Sequence, residues 1–112
     1  MKKEIINYSN FQKLDIRVGE IRSAINIPGA KKLLELRVDF GEDYGEVTIL
    51  SGIAEFYKPE KLVGKKYLFV ANLEPKKLFG KESQGMILAV DTPAKPQLLK
   101  IGNKITNGNN VR

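Results

Sequence analysis

The chain of 112 residues contains no cysteine, no histidine and no tryptophan. Without cysteine there is no disulfide staple, no thiolate metal site and no thiol nucleophile; without histidine there is no imidazole base or ligand. Carboxylates, lysines and tyrosines are the titratable chemistry that is left. No metal ligand set, no phosphate-binding glycine motif and no nucleophile with its base can be assembled from them, so neither a cofactor nor catalysis is expected. Long apolar runs are missing too, and no segment is apolar for the length a bilayer requires. Met1–Glu4 is charged and Ile5–Phe11 is interrupted by Asn7, Ser9 and Asn10, unlike a secretory signal. The expectation is a cytoplasmic protein with no membrane partner, an inference the missing cysteines agree with.

Acidic charge is scarce relative to basic: 13 Asp and Glu stand against 19 Lys and Arg, a formal charge of +6. That balance favours an anionic partner but does not by itself separate nucleic acid from an acidic membrane or protein. The length fits one domain, residues 1–112, with a single core.

Alternation of apolar and polar residues predicts short strands. Leu14, Ile16 and Val18 alternate with Asp15, Arg17 and Gly19, after which Ile21, Ile25 and Ile27 carry the apolar pattern. The change of parity calls for a bulge or bend near Gly19 and Glu20 in one long first strand. Pro28-Gly29 is a turn; Leu34, Leu36, Val38 and Phe40 make a second strand, and Val47, Ile49 and Ser51 a third that is apolar on both faces near its middle. A short helix opened by Pro59 and stopped by Gly64 follows. Tyr67–Ala71 and Met86–Val90 are strands four and five, Leu98–Ile101 is another short strand, and Asn107-Gly108 is a turn. Ser9 is placed to cap one helical turn before the first strand. Five strands, the first long and bent, with a helix between the third and fourth, match an all-β, five-stranded OB-fold barrel with terminal extensions. Pattern alone leaves an SH3-like or other small barrel open.

Between strands four and five lies the stretch least suited to a bland connection, N-L-E-P-K-K-L-F-G-K-E-S-Q-G-M from Asn72 to Met86. It holds three lysines, one proline and two glycines beside Asn72, Ser83 and Gln84, a composition suited to holding an anion. Phosphate and sugar contacts draw on ammonium, amide and hydroxyl groups together. Lysines on loops are more often a solvated face, and Asn72 has an equally good purpose in satisfying loop backbone. Among the aromatics, Phe79 lies outside any strand and is expected to be exposed.

Three stretches carry a resemblance: F-x-x-L-D-I-R-V-G-E-I from Phe11 to Ile21, T-I-L-S-G-I-A from Thr48 to Ala54, and N-L-E-P-K-K-L-F-G-K-E-S-Q-G-M-I-L from Asn72 to Leu88. The chain resembles the tRNA-binding domain found at the carboxyl end of many methionyl-tRNA synthetases, as a free-standing tRNA-binding protein, and in auxiliary factors of eukaryotic synthetase complexes. The resemblance implies an OB fold that binds tRNA by shape and backbone, without amino-acid charging of its own, often as a homodimer and in some cases beside a synthetase catalytic subunit. With the charge and hydrogen-bonding groups weighed residue by residue, the RNA-binding candidates are Lys31, Lys32, Ser51, Asn72, Lys76, Lys77, Lys81, Ser83, Met86 and Arg17. Three positions depart from the family pattern: Lys31 where an aspartate is usual, Val47 where a basic residue is common, and Glu74 where N-L-K-P is common. A second branch of similar proteins is a peptide-binding export chaperone; the loop from Asn72 to Met86 matches the tRNA-binding branch more fully. The apolar residues Ile5, Ile6, Tyr8, Leu98, Leu99, Ile101, Ile105 and Val111 fall outside the five strands and would be available to a dimer.

Overall fold

In the computed structural model, which describes all 112 residues, the first alternating run becomes one strand of twelve residues, β1 (Ile16–Ile27), that serves two neighbours in turn. Its first part pairs antiparallel with β4 (Lys66–Val70), from Ile16 opposite Val70 to Glu20 opposite Lys66. Its second part pairs with β2 (Ala30–Asp39), and β2 pairs with β3 (Glu46–Ser51), with Leu36 opposite Ile49. A strand can change partners this way only by bending, and Gly19, fully packed at the bend, leaves room for Val38, Phe40 and Phe69 where any side chain would stand.

The irregularity comes a little later than the sequence suggested. The β1–β2 register shifts between Ile21 and Ser23, so Arg22 is the extra residue of a bulge. Beyond it Ala24 packs on the core while Ile25 turns out and is 52% exposed. The apolar spacing Ile21, Ile25, Ile27 is thus not one buried face: Ile27 belongs to a different cluster on the outer side of the sheet.

The remaining elements are short. They are α1 (Tyr8–Phe11), α2 (Pro59–Leu62), β5 (Lys76–Leu78), β6 (Lys81–Ser83), β7 (Met86–Ile87), β8 (Ala89–Asp91), β9 (Pro96–Leu98), β10 (Lys100–Ile101) and β11 (Asn110–Val111). The main sheet runs β10-β4-β1-β2-β3, with β7 joined to β4 and β11 to β1. The expected fifth strand is divided: β7 pairs with β4, then the chain leaves it and β8 pairs with β9. Asn7, not Ser9, caps α1, because its amide oxygen reaches the Asn10 N–H at 2.9 Å while Ser9 already lies in the turn and donates to that same oxygen. Helix α2 starts with Pro59 as expected and contributes Leu62 to the core.

The sheet curls into an OB-like barrel around Phe40, whose ring meets Tyr44 and Phe69 edge-on at 5.3 and 5.5 Å. Between β3 and β7 no ladder closes the barrel; the gap is bridged by the residues just before β7. Gln84 donates its backbone N–H to the Thr48 carbonyl (2.8 Å), its side-chain oxygen accepts from the Thr48 N–H (3.1 Å), and Ser83 Oγ accepts from the Leu50 N–H (3.0 Å). These bonds satisfy the exposed edge of β3 without a strand.

At the far end of β2 the charge is acidic. An open groove of about 890 Å³ lies there between the Gly41–Gly45 loop and Asn103–Asn110, lined by Asp39, Glu42, Asp43 and Glu46 with Lys66 and Lys104. Arg22 bridges Glu20 and Asp39 at 3.0 and 2.6 Å, and Asn107 donates to both carboxylates. The Arg22 guanidinium, helped by the Gly41 N–H and Asn107, holds the Asp39 carboxyl below its ordinary value of 3.8. A carboxyl whose folded pKa is depressed adds stability above its unfolded pKa and loses it as pH falls through the folded one. Urea unfolding should therefore show the wild type losing more stability than Asp39→Asn between pH 7 and roughly pH 3. Parallel losses for the two proteins would remove Asp39 from the acid response.

Candidate nucleic-acid interface

Leu50 lies on the outer face of β3, yet it is buried. What covers it is the β5–β6 hairpin, which folds back over the outside of β2 and β3. Leu78 of the hairpin and Leu33 pack against a second small cluster made of Ile27, Ala30 and Leu50. Since Ile27 and Ala30 flank the Pro28-Gly29 turn, the same contact sets the hairpin beside that turn and so beside Lys31 and Lys32. Two further attachments fix it: Lys81 pairs with Glu35 at 2.6 Å, and Ser83 reaches β3 as described. The loop from Ile53 is drawn to the same place by the Ala54 N–H, which donates to the Lys32 carbonyl at 3.0 Å.

The arrangement collects ammonium groups without counter-ions. Lys31, Lys32, Lys76 and Lys77 are exposed, and no carboxylate stands within ion-pair distance of any of them. Arg17, Arg22 and Arg37, by contrast, are all engaged with carboxylates. In the hairpin Lys76 is opposite Ser83 and Lys77 opposite Glu82. Successive strand residues alternate faces, so Lys76 shares the side that meets β3 and Lys77 the outward side. The lysines at the start of β2 and Asp39 at its end are about 26 Å apart at the usual strand rise of roughly 3.3 Å per residue. The lysine end of that strand is open, whereas at the other end Asp43, Asp39 and Glu46 around the groove are engaged by Arg17, Arg22 and Arg37.

Not every candidate joins this face. Asn72 is a clamp: its amide oxygen accepts from the Asp15 N–H at 2.8 Å and its nitrogen donates to the Lys13 carbonyl at 2.7 Å, tying the end of β4 to the chain ahead of β1. Ser83 is buried and donates its hydroxyl to the Gly85 carbonyl at 3.2 Å while accepting from Leu50. Arg17 has only 16% of its side chain exposed, pairs with Asp15 at 2.9 Å and stacks over the Tyr44 ring at 4.8 Å. The hydrogen bond that Arg17 donates to Asp15 holds its guanidinium pKa above the ordinary value, and with Asp43 close by it belongs to the acidic end. Ser51 shares the inner face of β3 with Val47 and Ile49 and is half-buried. Met86 is exposed at the base of the hairpin, and so is Phe79 at its tip.

Two residues that matter for the site carried no clear signal of doing so. Glu35 anchors Lys81 from another strand, and Leu78 docks the hairpin. The two-faced apolar character of β3 was the one sequence feature that called for a cover over Leu50.

A curled, mostly β domain with an OB-like topology carries a lysine-bearing hairpin docked beside its first turn. Residues 16–110 match the family described as "Putative tRNA binding domain", and the chain belongs to that family. It is 43% identical over 111 residues to the methionine–tRNA ligase of Oceanobacillus iheyensis, a match covering 98% of this chain and 16% of that protein. The chain spans about a sixth of the length of the curated relatives it matches. The crystal structure of a MetRS-related protein from Pyrococcus horikoshii superposes with a TM-score of 0.91 at 40% identity, covering 98% of this chain and all of the other. The chaperone CsaA of Bacillus anthracis has the same fold, with a TM-score of 0.84 at 29% identity over 97% of this chain and 100% of its own.

Proposed function

We propose that residues 1–112 act as one domain that binds folded tRNA through its backbone phosphates, using Lys31, Lys32, Lys76 and Lys77 with Lys81 and Met86 beside them. The observation that carries the reading is the docking of the hairpin by Leu78 on the cluster beside the Pro28-Gly29 turn, which gathers Lys31, Lys32, Lys76 and Lys77 from two distant segments, none of them ion-paired, at one end of the barrel. Polyanion geometry rather than base identity then selects the partner, because A-form RNA offers phosphates and 2′-hydroxyls more readily than base edges. The domain itself performs no chemistry; it works in the cytoplasm and raises the local concentration of tRNA at a methionyl-type aminoacyl-tRNA synthetase. Ile5, Ile6, Tyr8, Leu99, Ile105 and Val111 are exposed and form the contact of a homodimer.

Filter binding of tRNA against single-stranded RNA of equal length, at two salt concentrations, tests this. Folded tRNA should bind more tightly, and its affinity should fall steeply with salt, by roughly 0.9 log units per log unit of salt for each phosphate contact. Tight, salt-insensitive binding of extended peptides that RNA does not displace would favour the chaperone-like reading that the CsaA fold suggests. Light scattering that gives a monomer at micromolar concentration would dispose of the dimer.

A further inference from the structure

Phe79 is the one non-glycine residue with a positive φ, +51°, and Gly80 follows at +76°. Leu78 is opposite Lys81 in the β5–β6 register, so Phe79-Gly80 is a two-residue loop with both central residues left-handed. That is type I′ geometry, which asparagine, aspartate or glycine adopts most easily, and for a bulky side chain it is a steric outlier. Burial gives nothing back, because Phe79 is 62% exposed and no other ring stacks with it. The hairpin beneath is held on three sides: by Leu78 in the small apolar cluster, by the Lys81–Glu35 pair, and by Ser83 on β3. An aromatic ring is therefore held out in solvent, at a conformational cost, at the tip of a fixed hairpin whose first strand carries Lys76 and Lys77. Strain of this kind persists where it serves a purpose.

Building on the tRNA reading above, we propose that Phe79 is a stacking platform for an unpaired nucleobase of the bound RNA. Every base has a π-face, so a lone ring can grip one without reading its identity. The base must be unpaired, since bases within a helix are already stacked on their neighbours and only loops, bulges and ends can splay one out. The lysines of the hairpin hold phosphates, and the ring adds a contact that salt does not screen.

Two variants test it. Phe79→Asn places the favoured Asn-Gly pair in the turn, so it should unfold at a higher temperature than the wild type. It should at the same time bind tRNA roughly tenfold more weakly. Its salt slope should be unchanged, because stacking releases no counterions. Phe79→Trp supplies the sole tryptophan of the chain. Its fluorescence should be quenched by tRNA and by oligouridylate, and not by blunt duplex RNA. The proposal is overturned if Phe79→Asn binds tRNA as tightly as the wild type, if it unfolds at a lower temperature, or if the tryptophan responds to an extended peptide and not to RNA. A wild-type protein that fails to bind tRNA even at low salt overturns the tRNA reading itself. Wild-type binding that Phe79→Asn matches removes the stacking role alone.

Discussion

Replacing Gly19 by alanine is expected to destabilise the fold by about 3 kcal/mol, which is large for one methyl group and follows from overpacking. A Cβ at this position would stand 2.5 Å from Val38 Cγ1, 2.8 Å from Phe40 Cε1 and 2.9 Å from Phe69 Cδ1. None of the three can move aside cheaply. Val38, Phe40 and Phe69 are fully buried, and the two rings already meet edge-on at 5.5 Å. The backbone cannot retreat either, since Val18 and Glu20 on each side are held in register with Leu68 and Lys66. Thermal unfolding followed by circular dichroism should show a midpoint lowered by roughly 10 °C. Gly52→Ala is the control: a Cβ there meets nothing within 4 Å, and the change should stay within about 0.5 kcal/mol of the wild type. A Gly19→Ala protein that melts with the wild type would mean that the bend has slack the packing does not show.

Gly19 also illustrates what the residues disclose in advance. Strands β1 to β4 were legible because a strand with one buried face must alternate, and the break in alternation announced a bend before any coordinates. The position of the bulge was not legible: Arg22 looks like any exposed residue, and the shift depends on which residues of β2 it faces. The β5–β6 hairpin was read only as an unusual connection. Three-residue strands in K-K-L and K-E-S contain a single apolar residue between them, so period two has nothing to act on, and Leu78 finds its partners far away in the chain. Asn72 and Ser83 show the same limit for polar groups. Their bonds to Asp15 and Leu50 span 57 and 33 residues, and no local spacing distinguishes such a clamp from a ligand contact. The excess of 19 basic over 13 acidic residues meant that some cations would lack carboxylate partners, but composition could not say which: Arg17 and Lys81, both RNA-binding candidates, are paired with Asp15 and Glu35.

Neutralising Lys31, Lys76 and Lys77 together to alanine is expected to weaken tRNA binding by roughly a hundredfold or more near 0.1 M salt and to reduce the salt slope by about two to three units, if each makes one phosphate contact. The fold should not register the change. All three side chains are exposed and unpaired, so removing them leaves no orphaned charge. Lys104 supplies the comparison: it lines the acidic groove at the other end of the molecule, and its alanine variant should keep the wild-type slope although it loses the same unit of charge. A second substitution should act in the opposite direction. Glu35→Gln deletes a negative charge from beneath the hairpin while leaving an amide oxygen that can still accept from Lys81 and keep the hairpin anchored, so tRNA should bind more tightly with a steeper slope. Lys81, no longer neutralised by a carboxylate, then offers its charge to a phosphate. Equal losses from Lys104→Ala and from each lysine of the triple variant would make net charge, not the docked hairpin, the source of affinity, and the geometry set by Leu78 would have no part in recognition.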